Sequence, residues 1–145
     1  MFNYFKKILV LFLIFNLTFV SSAQASATFV DSFDVSAQDA TPRGLAFNND
    51  GTKMFVVGDN GNDINSYTLS TGFDLSTATF NDINGDGSGF DISGQETTPQ
   101  YIKFNNDGTK MFVSGNSGDD INVYTLSTGF DLSTATFNDI NGDGS

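Results

Sequence analysis

The stretch "PRGLAFNNDGTKMFV" (Pro42–Val56) returns as "PQYIKFNNDGTKMFV" (Pro99–Val113), 57 residues further along the same chain. A longer stretch repeats without any change at the same offset, since "YTLSTGFDLSTATFNDINGDGS" covers both Tyr67–Ser88 and Tyr124–Ser145. Self-similarity at a fixed period is typical of architectures in which one structural unit stacks on the next. The sequence therefore predicts a chain built from copies of one unit.

The segment that precedes this stretch also recurs, with an insertion. Ala27–Pro42 matches Ala78–Pro99, but the later copy is six residues longer because it contains Ile83–Ser88 ("INGDGS"). The basic unit thus has 51 residues, and the insertion extends it to 57. Identity this close indicates a recent duplication, so recurrence alone does not show that a residue is needed.

Each unit has the pattern of short antiparallel strands. "GLAFN" (Gly44–Asn48) alternates apolar with small or polar residues and predicts a half-buried strand, followed by a hairpin turn in "NNDGT". "KMFVVG" (Lys53–Gly58) predicts an inner strand that is buried on both faces. A third strand is predicted at Ile64–Ser70, and a fourth that begins near Thr79 and runs towards Ile92. The expected packing residues of the third strand are Ile64, Tyr67 and Leu69.

Four short strands in about 50 residues are typical of a β-propeller blade. The motifs P-x-G-L-A-F-N-N-D-G-T-K-M-F-V and I-N-x-Y-T-L resemble the repeats of exported bacterial β-propeller proteins. TolB-type repeats have a similar Phe-x-x-Asp-Gly-x-Lys core, and YVTN-type repeats a similar Pro-x-Gly…Asp-Gly-Thr…Val pattern. The resemblance implies an all-β fold of four-stranded antiparallel blades, about two of them in residues 26–145.

Two blades are fewer than the 4–8 that typically close a propeller. Their outer sheets would have unpaired edges and uncovered faces, which favour association. We therefore expect either a fragment of a longer protein or a chain that closes a ring with copies of itself.

The first 25 residues are predicted to be a signal peptide. Two lysines precede the apolar run Ile8–Val20, and Ala23 and Ala25 form the small-residue pattern that signal peptidase accepts. A run of 13 apolar residues is short for a bilayer span, which makes a retained anchor the weaker alternative. We expect cleavage after Ala25, no membrane association afterwards, and a periplasmic, cell-surface or secreted location.

The remaining chain is strongly acidic. All 17 acidic residues of the protein lie in residues 26–145, with four basic ones, so the formal charge of this part is −13. Such a surface repels nucleic acids and anionic membranes. Histidine and cysteine are both absent, which removes the commonest general base, the usual zinc ligands and any disulfide. With no recognisable catalytic constellation, the sequence predicts a protein that is not an enzyme.

The repeated stretch "DINGDGS" resembles the first half of an EF-hand calcium loop, with oxygen ligands at positions 1, 3 and 5 and a glycine at position 6. Position 12 is Ser93, where that loop has a bidentate glutamate, so weak binding of a structural Ca²⁺ is expected. The alternative is a glycine-rich turn that needs no metal. The candidate ligands are Asp82, Asn84, Asp86, Ser88 and Asp91, and in the second copy Asp139, Asn141 and Asp143.

Two further recurring features have structural interpretations. Asp50 and Asp107, in "FNNDGTK", are predicted to accept hydrogen bonds from their own turns. The phenylalanines that recur at the repeat spacing are predicted to form the core between units; they are Phe47, Phe55, Phe73 and Phe80, with partners Phe104, Phe112, Phe130 and Phe137.

The sequence favours an exported, acidic β-propeller-repeat protein with a binding or structural role, whose partner is an unknown protein or carbohydrate. One alternative is the N-terminal fragment of an exported propeller enzyme of the lactonase or sugar-dehydrogenase type. Another is a calcium-dependent surface adhesin built by blade duplication.

Overall fold

A computed structural model describes residues 26–139, and within them the fold is all-β, as predicted. The strands are β1 (Pro42–Phe47), β2 (Lys53–Gly58), β3 (Asp63–Leu69), β4 (Ala78–Phe80), β5 (Phe90–Asp91), β6 (Pro99–Phe104), β7 (Lys110–Gly115), β8 (Ile121–Leu126) and β9 (Ala135–Phe137). Sheet one has the order β1-β2-β3-β4, and the short strand β5 also pairs with β3. Sheet two has the order β6-β7-β8-β9. All pairings are antiparallel, and a 3₁₀ turn precedes the last strand of each four-stranded path.

The predicted signal peptide lies outside the described residues. Across residues 26–139, no helix is long and apolar enough to cross a membrane.

The predicted strands of the first unit are largely confirmed, and the fourth is corrected. The second strand has the predicted bounds, and its last five residues are buried. The expected fourth strand is not continuous, because the chain leaves the sheet after Phe80 and returns at Phe90. The two pieces, β4 and β5, pair with opposite ends of β3. The inserted residues 83–88 lie in the loop between them, which explains the interruption.

The β1–β2 hairpin has the turn that its sequence predicts. Gly51 has a φ of 73°, a conformation that glycine adopts without steric cost. Asp50 Oδ1 accepts hydrogen bonds from the Thr52 backbone N–H at 3.0 Å and from its hydroxyl at 2.6 Å. Asp107 accepts the same two bonds from Thr109 in sheet two. The prediction that these aspartates cap their own turns is therefore confirmed.

Each sheet has two apolar faces, because successive side chains of a strand point to opposite sides. We call them the tyrosine face and the phenylalanine face. On sheet one, the tyrosine face carries Met54, Val56, Tyr67 and Leu69, and the phenylalanine face carries Phe55, Val57, Ile64 and Ser66. On sheet two, the corresponding residues are Met111, Val113, Tyr124 and Leu126, and Phe112, Ser114, Ile121 and Val123.

The core of the molecule lies where the phenylalanine face of sheet one meets the tyrosine face of sheet two. The Phe55 ring lies 4.5 Å from that of Phe104 and 6.5 Å from that of Phe130, measured between centroids. Lys53 also reaches across, and its Nζ donates to the Phe130 carbonyl at 2.9 Å. The predicted inter-unit role is thus confirmed for these three phenylalanines.

The segment before β1 covers part of the tyrosine face of sheet one. Phe33 packs edge-on against Tyr67 with ring centroids 5.4 Å apart, and Val35 packs on the same cluster. The segment between the sheets does the same for sheet two, where Phe90 and Tyr124 are 5.6 Å apart. Each unit therefore has the same construction, a sheet with an incoming segment over its tyrosine face.

Candidate functional site

The loop with the predicted calcium ligands is held by hydrogen bonds to its own backbone. Asp82 accepts from the N–H groups of Gly85 at 2.6 Å and Gly87 at 3.1 Å. Asp86 accepts from the backbone N–H and the hydroxyl of Ser88, at 3.0 and 2.6 Å. The Asn84 side-chain amide donates to the Gly89 carbonyl at 2.9 Å. The candidate ligands Asp82, Asn84 and Asp86 thus hydrogen-bond to nearby backbone groups and hold the loop in a series of tight turns.

Two of these carboxylates are held in the ionised form by their partners. Hydrogen bonds from the Ser88 hydroxyl and backbone lower the pKa of Asp86. Those from Ser93 lower the pKa of Asp91 in the same way.

Within residues 26–139, no three acidic side chains form a group that could hold a metal ion. Calcium binding by this loop stays a prediction. Of the second copy, Asp139 is described, whereas Asn141 and Asp143 lie outside the described residues.

A buried polar cluster that the sequence analysis did not single out lies on the tyrosine face of sheet one. Asp39 and Asn65 are fully buried, and Asp63 is nearly so. The Asn65 amide donates to Asp63 Oδ1 at 2.9 Å, and Gly89 N–H donates to Asp63 Oδ2 at 2.8 Å. Burial raises the pKa of Asp63 despite these bonds, and the charges of Asp39 and Asp91 raise it further. When the pKa of a carboxyl group is higher in the folded state than in the unfolded chain, stability is lost as the pH rises through the folded-state pKa. The raised pKa of Asp63 therefore destabilises the fold at neutral pH.

The corresponding cluster of sheet two differs in one side chain, since Glu96 occupies the position of Asp39. Both carboxylates lie against a glycine, Gly58 or Gly115, where any Cβ would collide with them. The longer Glu96 accepts from the N–H groups of Thr98 at 2.7 Å and Ser117 at 3.1 Å. The shorter Asp39 accepts from Thr41 N–H at 2.7 Å, but its Oδ2 has no hydrogen-bond partner within residues 26–139. The sequence signal for these clusters was an acidic residue two positions before a threonine, which occurs at Asp39 and again at Glu96.

We expect Asp39→Glu to stabilise the chain by about 1 kcal/mol, the usual net value of one added hydrogen bond. The longer side chain would reach the N–H of Asn60, which occupies the position of Ser117. Urea unfolding of the variant beside the parent chain measures the change. Asp39→Asn keeps the length of the side chain and cannot reach the Asn60 N–H, so it measures the gain from removing the charge repulsion with Asp63 alone. An unchanged or lowered midpoint for Asp39→Glu would show that the first cluster has no room for the longer acid.

Glu96 should make the stability depend on pH. Burial alone would raise its pKa, but hydrogen bonds from Thr98 and Ser117 outweigh burial and lower it. A lowered pKa stabilises the fold above the pKa of the unfolded chain, and this contribution is lost as the pH falls. Glu96→Gln should therefore cost about 1 kcal/mol at pH 7. The difference from the parent should shrink below about pH 4.5, the ordinary value for glutamate. A difference that is constant from pH 7 to pH 3 would contradict this assignment.

The two outward surfaces of the stack expose apolar side chains. On the phenylalanine face of sheet two, Ile121 is 67% exposed, whereas the equivalent Ile64 is fully buried. On the tyrosine face of sheet one, Leu45 is 58% exposed, whereas the equivalent Ile102 is 7% exposed. The same positions are thus buried inside the stack and open at its ends. These two surfaces are the candidate interaction sites of the described residues.

Comparisons of the chain with protein-family models, with curated proteins and with solved structures found no match. The assignment of a function therefore rests on the repeat, the two sheets and their exposed faces.

Proposed function

We propose that this chain is an exported, acidic repeat module of the β-propeller type, with a binding or structural role at or beyond the inner membrane. The observation that carries the proposal is the fit between units, in which the phenylalanine face of one sheet packs on the tyrosine face of the next. Every unit has both faces, so the same contact is able to propagate. In this interpretation sheets one and two are consecutive blades, and each loop end is available for recognition.

Contacts between equivalent strands support the blade arrangement. β1 and β6, the first strands of the two sheets, lie against each other, and a Cβ on Gly44 would be 2.6 Å from the Gln100 carbonyl oxygen. The side-chain amide of Asn49 donates to the backbone carbonyl of its own repeat partner, Asn106. In a propeller the first strands of successive blades lie side by side around the central axis, and β1 and β6 would take these positions.

The acidic surface and the predicted signal peptide support a function outside the cytoplasm. A net charge of −13 over residues 26–145 favours solubility and cations over nucleic acids or anionic lipids. We propose a protein or carbohydrate ligand, and Ca²⁺ in the 82–88 loop as a structural ion.

Expression with the native N-terminus tests the export step. The exported product should begin at Ser26, and a product that retains the full chain in the cytoplasm would contradict it.

Adding a third unit tests the module itself. A second copy of Gly89–Ser145 fused after Ser145 recreates the natural junction, because Ser88 and Gly89 follow the same "NDINGDG" residues. The added tyrosine face should cover Phe112 and Ile121, as sheet two covers Phe55 and Ile64. In repeat proteins each added interface contributes to stability. We expect an increase of about 2 kcal/mol or more in the free energy of unfolding, in one cooperative transition.

The control is a glycine/serine tail of the same length, which should leave the midpoint unchanged. An added unit that unfolds separately, with the original transition unmoved, would show that the contact between sheets one and two does not propagate.

A further inference from the structure

We infer that a second copy of this chain docks head to tail on the first, with Phe112 of one copy inserted against Phe47 and Phe73 of the next. The inference rests on the proposed repeat function and identifies the partner of its two exposed faces. Its basis is a template inside the molecule, since Phe55 already makes the equivalent contact with Phe104 and Phe130.

The receiving side of this contact is preformed on sheet one. The rings of Phe47 and Phe73 lie 5.4 Å apart, and those of their partners Phe104 and Phe130 lie 5.2 Å apart. In sheet two the equivalent pair packs against Phe55, whereas Phe73 remains 60% exposed. The tyrosine face of sheet one also has a cavity of about 230 Å³. Its apolar lining includes Phe33, Val35, Leu45, Met54, Val56 and Leu75.

The inserting side is the phenylalanine face of sheet two. Phe112 is partly exposed although its partner Phe55 is fully buried, and Ile121 is exposed where Ile64 is buried. This face also carries a hydrogen-bond donor equivalent to the one that bonds across the internal interface. Lys110 occupies the position of Lys53, whose Nζ bonds the Phe130 carbonyl, so the carbonyl of Phe73 in the next copy is its expected acceptor.

A second copy is favoured over an unrelated partner because both halves of an existing interface are present on one chain. The two faces differ from each other, so the contact is heterologous, and such contacts either close into rings or extend as filaments. At two sheets per copy, a ring of the usual 4–8 blades would contain about two to four copies. The charge of −13 on residues 26–145 opposes association, so added salt should strengthen it by screening.

A mixing experiment tests the direction of docking. Phe112→Asp removes the inserting side and leaves the receiving side intact, and Phe73→Asp does the reverse. By light scattering the parent chain should be an oligomer, whereas each variant alone should be a monomer. An equimolar mixture of the two variants should form a 1:1 dimer and nothing larger, because only one intact contact is possible between them. Asn60→Asp, which adds the same charge in an exposed turn, should keep the mass of the parent.

Several outcomes would overturn the inference. A parent chain that stays monomeric at all concentrations and at high salt shows that no second copy docks. An oligomer of the Phe73→Asp variant alone shows that the two phenylalanine faces meet each other instead. The three-unit fusion separates these failures from failure of the repeat module, since it tests stacking within one chain.

Discussion

Phe55→Ala should destabilise the chain by about 3–5 kcal/mol, the range for truncation of a buried phenylalanine. Phe55 has no exposed surface and lies between the sheets against Phe104 and Phe130. The substitution leaves a cavity that neither sheet is able to fill without moving, so the transfer loss and the cavity cost add. Most small domains have only 5–15 kcal/mol of total stability, so the variant should be close to unfolding at 25 °C.

Phe112→Ala is the matched control, because Phe112 has the same neighbours in sequence and lies at the equivalent strand position. Its side chain is partly exposed, so we expect a loss of about 1 kcal/mol at protein concentrations where the chain is monomeric. Urea unfolding of both variants measures the difference. Equal losses would contradict the stacking of the two sheets, which buries Phe55 and leaves Phe112 partly exposed.

Gly72→Ala should destabilise the chain by about 2–3 kcal/mol through a backbone collision. A Cβ on Gly72 would overlap the carbonyl oxygen of Asp50, in the β1–β2 hairpin turn. That turn is tied to the same loop by the bond from Phe73 N–H to the Gly51 carbonyl, 3.0 Å long, so neither segment is free to withdraw. Thermal or urea unfolding measures the cost.

Two further glycines make this prediction specific. Gly129 meets the Asp107 carbonyl in the same way, so Gly129→Ala should cost a similar amount in sheet two. Gly94 has no neighbour within 4 Å of an added Cβ, and Gly94→Ala should change stability by less than about 0.5 kcal/mol. A neutral Gly72→Ala variant would mean that the turn and the loop do not approach each other as closely as the structure places them.

Most of the local structure follows from short-range sequence signals. The Asn-Asn-Asp-Gly-Thr turn fixes the hairpin, because the aspartate binds its own backbone and glycine adopts a positive φ. The apolar run of β2 predicted a strand buried on both faces, and the structure has it. The predicted extent of the fourth strand was wrong. The inserted loop interrupts the strand pairing, and its residues have no hydrophobic pattern that would mark the interruption.

The candidate site was less predictable from the sequence. The 82–88 loop was found through its ligand spacing, but spacing does not reveal which backbone groups the carboxylates bind. The cluster of Asp39, Asp63 and Asn65 was missed because Asp39 is distant in sequence from the other two and meets them only when the segment before β1 folds over sheet one. Burial of an acid next to a glycine is a tertiary property, and polar composition alone suggests a solvated loop.

The repeat, the strand periodicity, the turns and the acidic surface follow from the sequence alone, because each of them depends on neighbouring residues or on their spacing. Which copy of a repeated side chain is buried depends instead on how the sheets pack. "KMFV" is identical in the two units, yet Phe55 is enclosed between sheets and Phe112 faces outward. Burial depends on what lies on the other side of a sheet, and a repeated sequence does not encode its own position in the stack.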